Sequence, residues 1–428
     1  MQNTWHIKNG RIIDPLTSRD EIADLYIKNG IISKPDKTGS DLEKTNNVID
    51  ARGFVVVPGF IDMHVHFREP GNEESETVES GSKAAARGGF TSVLMMPNTT
   101  PPLDTGEKIS EILDTGGTYP YAHVMTAGCI TKNRQGKELA NLTKMKKAGA
   151  VTFTDDGATV ADENLMRLAM KTAKELKTAI LDHALDPALA GKGVMHEGSV
   201  SAQLKLPGIP TQSEVNMVQR DIRLAEETGC HIHIQHVSAK ETVELIRKAL
   251  DRGLPVSGEA TPHHLALIDS DINPKNTNFK MNPPLRTSAD RTALLSAVAD
   301  GTLRILATDH APHSHTGKTK SFLDAPFGVV GLETAIGTTY TLLVKNKLMS
   351  LADWIDRWTV SPAHVLNLEP PALSPGQKAD ITILDLNTEW TIHSNEFASK
   401  STNTPFEGRK ITGRPIYTFC NGIMTYGD

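Results

Sequence analysis

The hydrophobic and polar positions divide the chain into a central part and two ends of different character. From residue 58 onward, short apolar runs alternate with longer segments in which apolar residues recur at helical spacing. This alternation is typical of βα units that build a parallel sheet. We predict strands at residues 61–66, 91–96, 122–127, 150–154, 178–183, 231–236, 255–259 and 304–309. Helices are predicted between them, at residues 76–87, 163–176, 213–228 and 241–252. Eight βα repeats over about 300 residues favour an α/β fold of the closed (β/α)8 TIM-barrel type.

Both ends of the chain carry strand-and-turn patterns instead. Near the start, Asn9-Gly10 and Asn29-Gly30 each separate two apolar runs, which predicts two hairpins. The polar segment 33–47 is predicted to be an exposed loop. After residue 366, apolar runs again alternate with turns. We therefore expect both ends to pair in one small β-sandwich domain, which divides the chain into residues 1–57, 58–366 and 367–428.

Composition narrows the possible partners. Hydrophobic residues make up 38% of the 428 residues, so the chain can bury a sizeable core. The net charge of -6 offers no basic field for nucleic acid, and no segment approaches the roughly 20 apolar residues of a membrane helix. Three isolated cysteines without a CxxC pair, and no secretory signal at the start, favour a cytoplasmic protein.

Histidine and aspartate are concentrated at the ends of the predicted strands, where (β/α)8 barrels place their reactive groups. The first strand carries two histidines at alternate positions, which project to the same side and can bind one divalent cation. The side chains in or just after the strand ends are His64, His66, Asp155, Asp156, His183, His236 and Asp309. Imidazoles combined with carboxylates suit one or two zinc ions, or a similar metal.

Spacing leaves the role of several acidic residues open. Either Asp155 or Asp156 could be a ligand, and Asp-Asp-Gly is also good turn chemistry. Asp62 shares the face of His64 but lies one pleat lower, so we expect it to orient a ligand rather than to bind metal.

The remaining histidines are ambiguous in the same way. His231 and His233 form a second alternating pair, but they lie at the start and middle of their strand, so we interpret them as packing or supporting residues. His236 lies at the end of that strand and is the predicted ligand. His263 and His264 either line the mouth of the barrel or belong to a loop.

Polar residues beyond the strand ends suggest a substrate with a carboxylate. Arg68 follows the first two histidines and could clamp a carboxylate with two parallel hydrogen bonds. Asn98, Asn282 and His313 follow other strands. The alternatives are that the two asparagines only fix turns beside their prolines, that Arg68 pairs with Glu69 at the surface, and that His313 is solvated.

The expected chemistry is metal-assisted hydrolysis. A divalent cation lowers the pKa of a bound water to about 7, which makes a nucleophile for an amide carbonyl. Asp309 could take a proton from that water and deliver it to the leaving nitrogen. The polar, glycine-containing segment 314–326 could be a mobile lid.

Several longer strings make the chain recognisable. They are PGFIDMHVHFREPG (58–71), MMPNT (95–99), FTDDG (153–157), EATPHHL (259–265), MNPPLR (281–286), ATDHAPH (307–313), APFGVVGLET (325–334), SPGQKADI (374–381) and SKSTNTPFEG (399–408). With these strings, the sequence resembles the amidohydrolase superfamily and, within it, the dihydroorotases of the bacterial class I type. The resemblance covers nearly the whole chain.

The resemblance implies a zinc enzyme that interconverts dihydroorotate and N-carbamoyl-aspartate in pyrimidine biosynthesis. It assigns the metal ligands as His64, His66 and Asp309 for one ion, His183 and His236 for a second, and Asp156 as the bridge. It makes Asp309 the catalytic acid and base. It assigns substrate contacts to His66, Arg68, Asn98, Asn282 and His313, with the backbone of Phe327 and Gly328 over the ring.

The sequence departs from the family pattern after His183, where Ala184-Leu185 replaces the usual polar run. This change could alter affinity at the second metal. Dihydropyrimidinases and allantoinases share the first histidine pair, but they bridge their metals with a carbamylated lysine. Here the nearest lysines lie before the fourth strand, at residues 144–147.

Three hypotheses follow from the resemblance: an active dihydroorotase, an inactive scaffold for aspartate carbamoyltransferase, and a catabolic hydantoinase or allantoinase. The complete ligand set favours the first hypothesis, and an active enzyme could still associate with the transferase. We also expect a homo-oligomer.

Overall fold

The computed structural model describes residues 4–34, 45 and 47–427. Most of the loop predicted at residues 33–47 lies outside this range. The strands are β1 (Thr4–Asp14), β2 (Arg19–Lys28), β3 (Ile31–Ser33), β4 (Val48–Asp50), β5 (Val55–Pro58), β6 (Phe60–Val65), β7 (Phe90–Met95), β8 (His123–Thr126), β9 (Ile180–Asp182), β10 (Met195–His196), β11 (Gly208–Ile209), β12 (Ile232–Ile234), β13 (Val256–Ala260), β14 (Ile305–Leu306), β15 (Ile381–Thr391), β16 (Lys410–Cys420) and β17 (Ile423–Gly427).

The α-helices are mostly amphipathic and pack around the central strands. They are α1 (Val78–Arg87), α2 (Gly106–Gly117), α3 (Leu142–Lys147), α4 (Glu163–Glu175), α5 (Pro187–Ala190), α6 (Ser199–Leu204), α7 (Gln212–Thr228), α8 (Lys240–Asp251), α9 (Pro262–Ala266), α10 (Ser288–Asp300), α11 (His315–Lys318), α12 (Leu332–Thr339), α13 (Leu351–Trp358) and α14 (Val360–Val365). The four predicted helices correspond to α1, α4, α7 and α8, within two residues at each end. A π-helix at Tyr340–Lys345 continues α12.

The central strands close into a parallel barrel. β6, β7 and β8 form one sheet, and β9, β12, β13 and β14 form a second. Three isolated bridges join them: Phe153 pairs with both Gly128 and Ile180 on one side, and Val65 pairs with His310 on the other. The predicted strand at residues 150–154 is therefore in place, although it is too irregular to form a long ladder. The predicted barrel is confirmed.

The amino ends of the barrel strands are closed by aromatic side chains. Phe60 and Phe90 begin β6 and β7, and they pack edge-on against Trp354 and Trp358 of α13, with ring centroids 5.7 and 5.3 Å apart. Each such pair contributes about 0.5–1.5 kcal/mol beyond the area it buries. Because this end is filled with rings, the carboxyl ends of the strands are the open end of the barrel.

Both chain ends contribute to one eight-stranded sheet, in the order β17-β16-β15-β5-β1-β2-β3, with β4 paired to β1. The predicted β-sandwich from the two ends is confirmed, and the domain limits given above stay a proposal. Within the described residues, no helix is both long and apolar enough to span a membrane.

One predicted hairpin is wrong. Asn29-Gly30 does connect β2 to β3, with Lys28 opposite Ile31. Asn9-Gly10, however, lies inside the continuous strand β1, where the register shifts. Asn9 has a φ of 61°, and a Cβ on Gly10 would lie 2.5 Å from Val56. The dipeptide forms a β-bulge in β1, at a point where this strand lies close to the Val56 side chain of its neighbour in the sheet, β5.

Candidate metal and active site

Four imidazoles surround one carboxylate at the open end of the barrel. Asp156 Oδ1 lies 3.4 Å from His64 Nε2, 3.6 Å from His183 Nδ1 and 3.7 Å from His236 Nε2, and Asp156 Oδ2 lies 3.4 Å from His66 Nε2. All five residues are buried. These residues are far apart in the sequence. His64 and His66 lie at alternate positions at the end of the first barrel strand, and each of the other three follows a different strand. The carboxylate is thus placed where it could bridge two cations.

Asp309 completes one half of this cluster. Its Oδ1 lies 3.1 Å from His66 Nε2 and 3.5 Å from His64 Nε2. In the other half, His183 Nδ1 and His236 Nε2 lie 2.8 Å apart. The surrounding imidazoles hold the pKa of Asp156 and of Asp309 below the ordinary value, although burial alone would raise both. Both carboxylates are therefore ionised at neutral pH.

The donor set fits a borderline-soft divalent cation. The candidate ligand atoms of His64, Asp156 and His236 lie within 4.8 Å of one another, and so do those of His64, His66 and Asp309. His64 Nε2 and Asp156 Oδ1 are buried without a hydrogen-bond partner. Buried polar atoms normally have partners, and a cation between these two would satisfy both. Neutral imidazoles with carboxylates are ligands that suit zinc.

Three residues of the site have left-handed backbone conformations. The φ angle is 58° at Arg68, 32° at His236 and 49° at Asp309. Such a conformation costs about 1–3 kcal/mol for a residue other than glycine and persists only when the surroundings impose it. At these positions the chain turns sharply as it leaves a barrel strand. All three are residues whose side chains face the cavity, so the surrounding structure holds the site in a strained geometry.

Glu259, at the end of β13, orients the first histidine. Its Oε1 lies 2.6 Å from His64 Nδ1 and also accepts a hydrogen bond from the His236 backbone N–H at 3.0 Å. Its Oε2 lies 3.0 Å from His233 Nε2. Burial raises the pKa of Glu259, but the His64 and His233 imidazoles together more than offset this and hold it at about 2. An ionised Glu259 keeps the proton of His64 on Nδ1 and leaves Nε2 free to bind a metal.

Sequence analysis did not assign a role to Glu259. The available signal was its position: it is the last residue of a predicted strand, as His183, His236 and Asp309 are. His231 and His233 lie outside the cluster, as predicted, and both contact Ser257 Oγ at 2.8 Å.

Two further aspartates stabilise the strands and loops that carry the site. Asp62 accepts hydrogen bonds from the backbone N–H groups of His64 and Thr308, both at 3.1 Å, so it joins the first and last strands and does not orient an imidazole as expected. Asp155 accepts from the backbone N–H of Ile130 at 2.8 Å. The structure thus places Asp156 in the cluster and Asp155 outside it.

The residues predicted to bind substrate line one cavity of about 280 Å³ above the cluster. The lining residues are His66, Arg68, Asn98, Asp156, Gly157, His183, His236, Asn282, Asp309, Ala311, His313, Phe327 and Gly328. His263 and His264 are not among them. They lie buried on α9, where His264 Nε2 contacts the carbonyl of Pro283 at 2.9 Å. Sequence reasoning had left their position open.

Side chains of the cavity are held in place by one another. Asn98 Oδ1 lies 2.9 Å from His66 Nδ1, and Asn282 Nδ2 lies 3.3 Å from His183 Nε2. Neither asparagine therefore serves only as a turn residue. Arg68 Nε donates to the carbonyl of Pro312 at 3.0 Å, not to Glu69.

Arg68 gives the cavity a positive edge, and His313 lies beside it. Arg68 Nη2 lies 3.4 Å from His313 Nε2, which also contacts the carbonyl of Phe327 at 2.6 Å. Burial and the charge of Arg68 lower the pKa of His313 to about 2, so the imidazole is neutral. Burial also lowers the pKa of Arg68, to about 10, which leaves it charged at neutral pH. A fixed cation therefore faces the cavity beside a neutral imidazole, whose Nε2–H donates to the carbonyl of Phe327.

The segment predicted as a lid is fastened by a buried lysine. Lys318 Nζ donates to the carbonyls of Thr277, Lys280 and Pro326, at 3.1, 3.3 and 2.9 Å. These bonds hold the chain just before Phe327 and Gly328 against the cavity. Whether this segment moves stays a prediction.

Comparisons with known proteins identify the family of this chain. Residues 53–242 match the family model described as Dihydro-orotase-like. The chain is 44% identical to a dihydroorotase of Staphylococcus epidermidis over 99% of both chains. It is also 44% identical to a dihydroorotase of Bacillus subtilis, again over 99% of both chains. The chain belongs to the dihydroorotase family. The family assignment and the assignment as a hydrolase of cyclic amides are thereby confirmed.

The fold of the dihydroorotase family is shared with other cyclic-amide hydrolases. The L-hydantoinase (dihydropyrimidinase) from Arthrobacter aurescens superposes with a TM-score of 0.86, at 25% identity, over 99% of this chain and 96% of that one. The shared architecture therefore does not distinguish between substrates, which depend on the side chains of the cavity.

Proposed function

We propose that the chain catalyses the reversible interconversion of dihydroorotate and N-carbamoyl-aspartate in pyrimidine biosynthesis. The observation that carries the proposal is the combination of a His/Asp cluster with Arg68 in one cavity. The cluster would carry out the hydrolysis, and the half-buried guanidinium of Arg68 would bind a carboxylate, which dihydroorotate has and hydantoin lacks. The 44% identity to dihydroorotases over nearly the whole chain supports the same substrate.

The cluster is proposed to hold one or two zinc ions. His64, His66 and Asp309 would hold one ion and His183 and His236 the other, with Asp156 between them. A bound zinc ion would lower the pKa of water and polarise the substrate carbonyl. The contacts of Glu259 with His64 and of Asn282 with His183 fix these imidazoles in orientation.

The groups of the cavity that are predicted to contact substrate have proposed tasks. Arg68 binds the substrate carboxylate with two parallel hydrogen bonds, helped by Asn98 and His313. The backbone of Phe327 and Gly328 covers the ring, and Asn282 contacts its polar edge.

Asp309 is the proposed acid and base. It takes a proton from water as the water oxygen bonds to the ring carbonyl carbon. The ring C–N bond then breaks, and Asp309 returns the proton to the leaving nitrogen. In the reverse direction the same groups close the ring. The histidines lower the pKa of the Asp309 carboxyl and keep it ionised at neutral pH, which is the form that can accept a proton.

The cavity argues against a hydantoinase of the lysine-bridged type. The bridging position is Asp156, and the nearest lysines along the chain lie on α3, before the fourth strand. Lys146 of this helix donates to the carbonyl of Val151 at 2.9 Å, at the opposite end of that strand. The complete cluster likewise argues against an inactive scaffold.

The test is metal analysis combined with substrate assays on the purified chain. We expect zinc in the protein and rapid turnover of dihydroorotate, with little turnover of hydantoin or allantoin. Rapid turnover of hydantoin without turnover of dihydroorotate would establish the catabolic alternative. A chain that binds zinc in this cluster and turns over neither compound would favour the scaffold.

We further propose a cytoplasmic homo-oligomer that can associate with aspartate carbamoyltransferase. Sedimentation of the purified chain tests the oligomeric state. Co-elution with the transferase on a sizing column tests the second.

A further inference from the structure

A second group of potential metal ligands lies at the other end of the barrel. It consists of His123, the first residue of β8, Asp380, which precedes β15, and Cys420, the last residue of β16. His123 Nε2 lies 3.0 Å from Asp380 Oδ2, and the candidate ligand atoms of all three residues lie within 4.8 Å of one another. Because the active-site cluster occupies the carboxyl ends of the strands and β8 begins at His123, the two groups are separated by the length of the barrel.

The distances are close to those of a metal site. Zinc lies about 2.0–2.3 Å from nitrogen, oxygen and sulfur ligands in a tetrahedron, so its ligand atoms are roughly 3.3–3.8 Å apart. A contraction of at most about 1 Å would bring these three side chains onto one ion. A thiol with an imidazole selects zinc or a similar soft cation over magnesium or calcium.

The surroundings also favour a cation. The Asn421 backbone N–H donates to Asp380 Oδ1 at 2.7 Å, which orients the carboxylate and directs Oδ2 at His123. The Cys420 thiol makes a weak contact with the carbonyl of Thr91, at 3.9 Å, and also interacts with the Asp380 carboxylate. The side chains of His123 and Asp380 are 28% and 13% exposed, so an ion can enter and keep a water as its fourth ligand.

A structural hydrogen bond between His123 and Asp380 would account for the contact between these two side chains. It would not account for a thiol placed within 4.8 Å of both. Such a bond joins the barrel to the terminal sheet without any sulfur. Burial raises the pKa of the Cys420 thiol well above its ordinary value, so the thiol stays protonated until a cation displaces the proton.

We propose that His123, Asp380 and Cys420 form a peripheral site for zinc or a similar divalent cation, separate from the active site. The ion would cross-link a barrel strand to two strands of the terminal sheet. Its expected effect is on stability and metal content, not on the chemistry in the cavity.

Cobalt distinguishes the two sites, because only the peripheral one contains sulfur. We expect the full chain loaded with Co²⁺ to show a sulfur-to-cobalt charge-transfer band in the near ultraviolet. The band should disappear in Cys420→Ser and in His123→Gln, and each variant should bind one metal ion per chain fewer than the unmodified protein. His123 is partly exposed, so its variant provides a test that does not depend on replacing a buried residue.

Cys230→Ser is the matched control, because Cys230 is also a buried free cysteine but belongs to no group of potential ligands in the described part of the chain. It should keep both the band and the metal count, and all variants should retain dihydroorotate turnover. The proposal is overturned if excess Co²⁺ gives no thiolate band. It is also overturned if the band survives in Cys420→Ser or in His123→Gln, or disappears in Cys230→Ser.

Discussion

Replacing Glu259 with glutamine tests whether a residue that contacts no substrate controls metal binding. Glu259 is fully buried and contacts the rings of His64 and His233 and the backbone of His236. Glutamine has nearly the same shape, so packing is kept and the negative charge is removed. The side-chain amide can still accept one hydrogen bond from His64 Nδ1.

The expected loss follows from the hydrogen bonds. A hydrogen bond to a charged group contributes about 1.5–3 kcal/mol and a neutral one about 0.5–1.5 kcal/mol, so the His64 bond alone should weaken by roughly 1–1.5 kcal/mol. Supporting residues of metal sites typically control about 10- to 100-fold in metal affinity. That range corresponds to about 1.4–2.8 kcal/mol, and we expect Glu259→Gln to fall within it.

Zinc affinity is measured by competition with a chelator, and dihydroorotate turnover is measured as zinc is titrated. Turnover of the variant should approach that of the unmodified enzyme only at higher zinc concentration. Ser257→Ala is the control, since Ser257 contacts His233 but not His64, and it should change zinc affinity much less. Unchanged zinc affinity in a folded Glu259→Gln variant would refute the assignment of Glu259 as the residue that orients His64.

Four further predictions concern the cavity and the framework. Asp309→Asn should keep at least one metal ion and lower kcat by about 10²- to 10⁴-fold, because the proton carrier is lost; a near-normal kcat would exclude Asp309 as the acid and base. Arg68→Met should mainly raise KM for dihydroorotate, since it removes the proposed carboxylate contact, and an unchanged KM would argue against that contact. Arg286→Met should destabilise the fold by about 3–5 kcal/mol in denaturant titration, because it leaves the buried Glu214 carboxylate, now 3.0 Å from Arg286 Nη2, without its ion-pair partner. Burial raises the pKa of Glu214, but Arg286 and the hydrogen bonds from Ser238 and the Ala239 backbone together lower it from 4.5 to about 2. The stability contributed by ionised Glu214 should therefore be complete above pH 4.5 and lost as the pH falls towards 2, and acid titration of the variant should show a smaller loss in that window. Removal of metal by a chelator should abolish turnover and lower the Tm, and added zinc should restore both; a Tm that does not respond to zinc would contradict metal binding in the described clusters.

The barrel was predictable because its signals are local. A buried parallel strand is a short apolar run, and an amphipathic helix has a period that can be read within about 15 residues. Because the strands are parallel, their carboxyl ends all lie on one face of the barrel. Residues at those ends, such as His183 and Asp309, could therefore be expected to lie close together. The pattern did not reveal that Asn9-Gly10 is a bulge, since the same dipeptide makes a hairpin turn at Asn29-Gly30 and only the neighbouring strand distinguishes them.

The supporting residues of the site were less predictable. Spacing could not choose between Asp155 and Asp156, because the choice depends on which way the chain turns after the fourth strand. Glu259 had the right position at a strand end, but its role depends on a contact with His64, from which it is separated by nearly two hundred residues.

The sequence by itself determined the order of strands and helices, and it placed the histidines and aspartates at the strand ends, because periodicity and position are properties of neighbouring residues. Only the tertiary structure decided which carboxylate enters the cluster, which one orients an imidazole, and that His123, Asp380 and Cys420 meet at all. Those outcomes depend on distances between residues far apart in the chain, and such distances are set by barrel closure and by the pairing of the two chain ends.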